Sequence, residues 1–135
     1  MLPRKAELPE DQTREMGAKL TEVIIDATDP ERLAAFWSQV LGWPRTPPDD
    51  DGAVELADPG GTKPTLVFVP VPEPKTVKNR VHLDVNPTGC DQQEELARLL
   101  ALGARPADVG QGEQTWIVLA DPEGNEFCLL RSRVD

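Results

Sequence analysis

Histidine is almost missing from this sequence: among 135 residues His82 is the only one. A two-His-one-carboxylate metal set therefore cannot be assembled from a single chain. Cysteine is nearly as scarce. Cys90 and Cys128 are the two present, too few and too unpatterned for a disulfide framework or a four-thiolate zinc site, which fits a reducing compartment. Basic residues are outnumbered, with 14 Lys plus Arg against 24 Asp plus Glu and a formal charge of −10. Such an acidic surface repels phosphate backbones and anionic lipid, so nucleic acid and membranes are excluded as expected partners. No apolar run approaches the ~20 residues that a membrane span needs. The first residues, MLPRKAELPEDQTREMG, have charge but no apolar stretch. The expectation is a cytoplasmic protein with neither secretory signal nor anchor. No Gly-rich phosphate loop, Gly-x-Ser-x-Gly elbow or metalloprotease helix motif occurs, so nucleotide-dependent transfer and the common hydrolase classes have no support.

What is present is enough for one core: 39% of the residues are hydrophobic, in a length that suits a single domain. Residues 1–18 read as a charged, Pro-containing tail and residues 19–135 as the domain. LTEVIIDA is a β-branched strand, followed by a helix that Asp29 can cap and Pro30 can open. Leu33, Phe36, Trp37, Val40 and Leu41 fall on one helical stripe, and Gly42 is placed to end it. Strands are expected at 53–56 and 65–69, with a short one at 43–46. After the link PVPEPK the order begins again, with a strand over 80–85, a helix over 90–102 and Gly103 at its end. Asp49, Asp50 and Asp51 before Gly52 read as a turn rather than a cation site.

The two halves repeat. Leu41-Gly42 returns as Leu102-Gly103, and LADPGG from Leu56 returns as LADPEG from Leu119, at offsets of roughly 61 and 63 residues by subtraction. The inferred fold class is α+β: two tandem βαβββ modules, residues 20–70 and 79–131, forming a half-open curved sheet with the helices outside and a cavity inside. Period-two alternation then sorts the side chains. Arg80, His82 and Asp84 share one face of RVHLDV, against Val81, Leu83 and Val85. Likewise Glu22, Ile24 and Asp26 share a face, as do Glu126, Cys128 and Leu130, and Trp116 shares one with Val118. The polar sets are expected to face the cavity.

Three segments carry a family resemblance: TDPERLAAFWSQVLGW, RVHLDV and LADPEGNEFCLL. Residues 20–131 resemble the vicinal oxygen chelate superfamily, also called the glyoxalase, bleomycin-resistance and extradiol-dioxygenase superfamily. VPEPKTVKNRVHLDV looks like the glyoxalase-like proteins common in actinobacteria. The resemblance implies the glyoxalase-like fold, a small-molecule ligand and a homodimer. It also implies metal ligands on the first and last strands of each module, which here are Glu22, Leu66 or Phe68, His82 and Cys128. With one position apolar and Cys128 in place of a carboxylate, the implied metal set is incomplete. No cofactor is expected; a divalent metal on Glu22, His82 and Cys128 is the alternative.

The expected function is binding of a small organic molecule in the cavity. An imidazole beside a carboxylate can act as a general acid or base, so His82 near Glu22 or Asp84 is a candidate for that role in a lyase or isomerase. A cavity-lining histidine that ties strands together is the other reading. Arg80 and Lys78, with Lys75, form a basic cluster suited to an anionic ligand, or a solvated connector. Trp116 and Phe68 would give the cavity aromatic surface, with Cys128 and Glu126 lining it. Cys128 without an activating partner is expected to be an inert thiol, and Cys90 gains some activation near a helix start. Drug sequestration without turnover is a further alternative.

Overall fold

The structure is a computed structural model and describes residues 16–135. Of the tail expected over 1–18, residues 1–15 lie outside the described residues. Strand β1, Glu22–Ala27, leads into helix α1, Pro30–Leu41. Asp29 caps α1 by accepting from the Arg32 N–H at 3.2 Å, and Gly42 ends it in a left-handed conformation at φ 69°. Only a residue without Cβ adopts that geometry cheaply. Strands β2, Val54–Leu56, and β3, Thr65–Pro70, complete the first half. The second half runs β4, Asp84–Val85, helix α2, Gln92–Leu102, then β5, Arg105–Pro106, β6, Ile117–Ala120, and β7, Glu126–Leu129. Helix α2 opens on a reciprocal cap between Asp91 and Glu94.

The second half is a βαβββ unit, and the first follows the same path with its second strand reduced to a bridge. In the first sheet, β1 pairs in parallel with β3 and β2 pairs antiparallel with it; in the second, β4 is parallel to β7 and the order continues to β6 and β5. The strand expected over 43–46 is reduced to one bridge, Arg45 to Leu56. It is the counterpart of the β5 pairing of Pro106 with Leu119, so the repeat holds even at its weakest strand.

Two expectations are corrected. The strand expected over 80–85 is laddered only at Asp84–Val85, with β4 an edge whose one neighbour is β7; Val81, on the face opposite the polar set, is 79% exposed rather than packed in the core. The helix expected from residue 90 begins at Gln92 behind the Asp91 cap. Cys90 therefore gains no activation there: desolvation and the carboxylates of Glu95, Glu94 and Asp91 raise its thiol pKa.

One core spans both halves. Leu33, Phe36 and Trp37 of α1 and Leu99 of α2 are buried with Leu56, Phe68, Leu119, Phe127 and Leu129. Phe127 meets the Trp37 ring edge-on at a centroid distance of 4.8 Å and Phe36 at 6.2 Å, an arrangement that aromatic quadrupoles favour. Three polar links join the halves beside this cluster. The Trp37 Nε1–H donates to the Oδ2 of fully buried Asp121 at 3.0 Å. Glu123 accepts from the backbone N–H groups of Thr28 and Asp29, each at 2.8 Å, where β1 turns into α1. Arg98 of α2 donates to the carbonyls of Gln39 and Val40 near the end of α1 while both carboxylate oxygens of Glu95 accept from one edge of its guanidinium.

Asp121 also accepts from the N–H of Glu123 and from the backbone and side chain of Asn125. Replacing it with alanine leaves the buried indole N–H unpaired and unties the turn. Asp121→Ala is expected to cost about 2 to 4 kcal/mol of stability, measured by urea unfolding. A double-mutant cycle with Trp37→Phe should return a coupling energy clearly above zero.

Candidate functional site

The parallel register of β4 and β7 sets Asp84 opposite Cys128, so their side chains stand next to each other on the same face. The Cys128 N–H also bonds to the Leu83 carbonyl at 2.9 Å, which carries the pairing one residue further back and sets His82 beside them. The His82 Nδ1 lies 3.0 Å from Asp84 Oδ1 and 3.8 Å from Cys128 Sγ. His82 and Asp84 are about half exposed, at 46% and 45% of their side chains, whereas Cys128 is buried. Burial and the neighbouring Asp84 push the Cys128 thiol above its ordinary pKa. The sulfur is thus a protonated thiol rather than a free nucleophile.

Around this trio is a hollow of about 470 Å³. Antiparallel pairing of Val118 with Cys128 extends the same face across β6, and Val118, Leu130 and Val109 form an apolar floor with Trp116 beside it. Trp116 keeps 38% of its surface exposed. Lys78, Asn79, Gln111 and Glu126 supply the polar rim.

Glu126 also lines a second hollow, of about 580 Å³, between β1 and the segment leading into β4. Its Oε1 accepts from Lys75 Nζ at 2.9 Å and its Oε2 from the Asn79 N–H at 3.1 Å. Burial works against its ionisation, yet the Lys75 and Asn79 hydrogen bonds hold its carboxyl below the usual glutamate value. The Pro-rich connector is fastened to β7 in this way.

Of the residues singled out from sequence, His82, Asp84, Cys128, Trp116, Lys78 and Glu126 line the first hollow together. Arg80 does not join them. It lines the second hollow with Asp26, because strand alternation does not extend back to a residue outside the ladder. Lys75, part of the expected basic cluster, is paired with Glu126. Glu22 stands apart in a third hollow with Thr46, Asp49, Glu55 and Val67, so within the chain the expected Glu22, His82 and Cys128 trio is not assembled. Phe68 is fully buried in the core and is corrected from cavity wall to core residue. Its register partner is Ile25, on the helix-facing side of β1, whereas Val67 pairs with Ile24 on the open side. Sequence reasoning missed Val109, Gln111 and Asn79. The two loop residues, Val109 and Gln111, have no periodicity that could reveal them.

A family model for the glyoxalase-like domain matches residues 22–130. The chain belongs to this family. No curated protein matches the sequence. Among solved structures, a glyoxalase/bleomycin resistance protein/dioxygenase family enzyme from Burkholderia phytofirmans PsJN is 21% identical. That match covers 83% of this chain and 97% of the other, with a TM-score of 0.59. The fosfomycin resistance protein FosX from Mesorhizobium loti gives a TM-score of 0.64 at 14% identity, over 87% and 94% of the two chains. A variant of FosX from Listeria monocytogenes, in complex with Mn(II) and a dihydroxypropylphosphonic acid, gives 0.62 at 16% identity over 85% and 90%. These likenesses bear out the glyoxalase-like α+β fold, and the family model bears out the resemblance read from the sequence.

The Glu126 clamp gives the glyoxalase-like chain a pH dependence of defined sign. A carboxylate whose folded pKa is depressed stabilises the fold above its unfolded value and loses that contribution as pH falls through the folded one. Hydrogen exchange at the Asn79 amide is therefore expected to quicken, relative to the intrinsic rate, as pH drops below the ordinary glutamate value of 4.5. In Glu126→Gln the same amide should show no such acid-dependent change.

Proposed function

We propose that this glyoxalase-like chain binds a small organic molecule in the hollow over β4, β7 and β6. In this reading His82 moves a proton to or from the ligand and Asp84 orients the imidazole. The observation that carries the reading is the convergence of His82, Asp84 and the exposed Trp116 on one apolar-floored hollow. A pocket with an apolar floor and few polar groups suits a small ligand. With Asp84 accepting from Nδ1–H, Nε2 is the basic nitrogen available for proton transfer. Trp116 offers a flat apolar surface for stacking, and Lys78 on the rim offers a cation to a carboxylate or phosphonate group. The phosphonic acid bound to the Listeria protein is a precedent for such a ligand on this scaffold.

Isothermal titration with small carboxylates and phosphonates, aromatic and aliphatic, tests the reading. Saturable binding is expected, weakened about tenfold in Trp116→Ala, a loss of about 1.4 kcal/mol. His82→Ala should abolish any turnover while retaining affinity. Binding that neither substitution affects would place the ligand elsewhere.

The reading extends to a cytoplasmic homodimer. Among the described residues no helix is long and apolar enough to cross a membrane. Ile24, Val77 and Val81, exposed by 53%, 75% and 79%, border the second hollow, and a second copy of the chain would cover them. Light scattering at tens of micromolar should return twice the chain mass of 14.8 kDa; the mass of a single chain would refute the dimer.

A further inference from the structure

The Val71 N–H bonds to the Ala27 carbonyl, and the Leu83 carbonyl accepts from the Cys128 N–H. Between these two points the connector crosses from one module to the other without joining a strand. Among the described residues, the hydrogen bonds that tie residues 72–81 to the rest of the chain all end on Glu126. Building on the small-molecule reading of the hollow over β4, β7 and β6, we propose that Glu126 is its positioning residue. By gripping the connector, Glu126 stands Lys78 at the rim as the anchor for an anionic ligand and so decides the charge class that the hollow accepts.

The grip closes on both sides of Lys78. Ahead of it, Lys75 Nζ donates to Glu126 Oε1 at 2.9 Å. Behind it, the Asn79 N–H donates to Oε2 at 3.1 Å and Asn79 Nδ2 to the Glu126 carbonyl at 3.4 Å. Lys78 Nζ in turn donates to the Asn79 carbonyl at 3.0 Å, so its ammonium follows wherever Asn79 is held. Lys78, Asn79 and Glu126 all line the hollow. The Lys75 and Glu126 side chains keep only 20% and 14% exposure, where water screens a charged hydrogen bond less than at the open surface. Glu126 belongs to β7 and is paired with Ala120 of β6, so its carboxylate is the fixed end and the connector is the end that it positions.

The two lysines are given different tasks in this way. Lys75 neutralises Glu126 and lines only the second hollow, whereas Lys78 lines the first as well. A carboxylate at a rim would, by its charge alone, repel an anion. Glu126 has that charge offset by Lys75, and its geometric effect is to bring a cation in. The two effects have opposite signs, which makes them separable: losing the charge alone favours anions, and losing the grip disfavours them. Glutamine keeps the length but presents its NH₂ either to the Lys75 ammonium or to the Asn79 N–H, donor against donor. Aspartate keeps the charge and is one methylene too short to reach the connector.

Iodide quenching of Trp116 fluorescence tests this without any organic ligand. Trp116 is 38% exposed in the hollow and Trp37 only 1% exposed, and Trp43→Phe removes the third indole. In that background, at a constant ionic strength of about 0.1 M, a cation raises the iodide concentration within ~10 Å, while neutral acrylamide reports access alone. Lys78→Gln is expected to lower the iodide quenching constant about 1.5- to 2-fold, the effect of one unit charge at that range. Glu126→Gln and Glu126→Asp should each lower it by a similar factor, although the first removes a negative charge and the second keeps it. Acrylamide quenching and far-ultraviolet circular dichroism should stay unchanged in all three. Added to Lys78→Gln, Glu126→Gln should lower iodide quenching no further. A rise in Glu126→Gln, unaltered quenching in Glu126→Asp, no effect of Lys78→Gln, or an equal fall in acrylamide quenching would overturn the proposal. If carboxylates and phosphonates fail to bind while the quenching behaves as expected, the ligand reading alone is overturned.

Discussion

The hydrogen bond from Trp37 to Asp121 is the contact on which the two-module arrangement rests. An indole buried this deeply must find an acceptor for its N–H, and the acceptor comes from the other half of the chain. The same carboxylate ties the turn between β6 and β7 through Glu123 and Asn125. That turn presents Glu123 to the entry of α1. Helix placement in one half and strand geometry in the other are thus fixed by one buried group, and the edge-to-face Phe36, Trp37 and Phe127 rings exclude water around it.

With the second sheet held in place, strand register does the rest. Asp84, Cys128 and Val118 line up across three adjacent strands, which sets a polar pair beside a sulfur on an otherwise apolar floor. Nothing in this arrangement depends on long flexible side chains. The separation of His82 from its two neighbours is set mainly by backbone pairing, the kind of support from which a functional site gains precision.

Much of this was legible in the sequence, and the parts that were not have physical reasons. Helix α1 was bounded to within a residue because Asp29, Pro30 and Gly42 each have a conformational role there. The grouping of His82 with Asp84, and of Cys128 with Glu126, followed from alternation. Phe68 was assigned to the wrong face because TLVFVP is apolar at nearly every position; its parity is set by pairing with β1, which no local pattern displays. The separation of Glu22 from His82 depends on how two sheets sit against each other. The Lys75 to Glu126 pair joins residues 51 positions apart, and β5 is two residues long with a proline, too short to have a period. Within residues 20–131 the resemblance anticipated the architecture, whereas the membership of each hollow came from tertiary packing.

The repeat has a consequence for how the modules are related. The offset of about 61 residues that takes Leu41 to Leu102 also takes Trp37 to Arg98. These corresponding positions hold unlike residues, and each reaches across to the opposite half: Trp37 to Asp121, Arg98 to the carbonyls of Gln39 and Val40. The links are complementary rather than interchangeable. A chain made of two first modules would have no Arg98 to close the end of α1, and one made of two second modules would bury Asp121 without an indole to meet it. Divergence after duplication has therefore made each half the obligate complement of the other, and the ancestral symmetry survives in the path of the backbone but not in the chemistry of the seam.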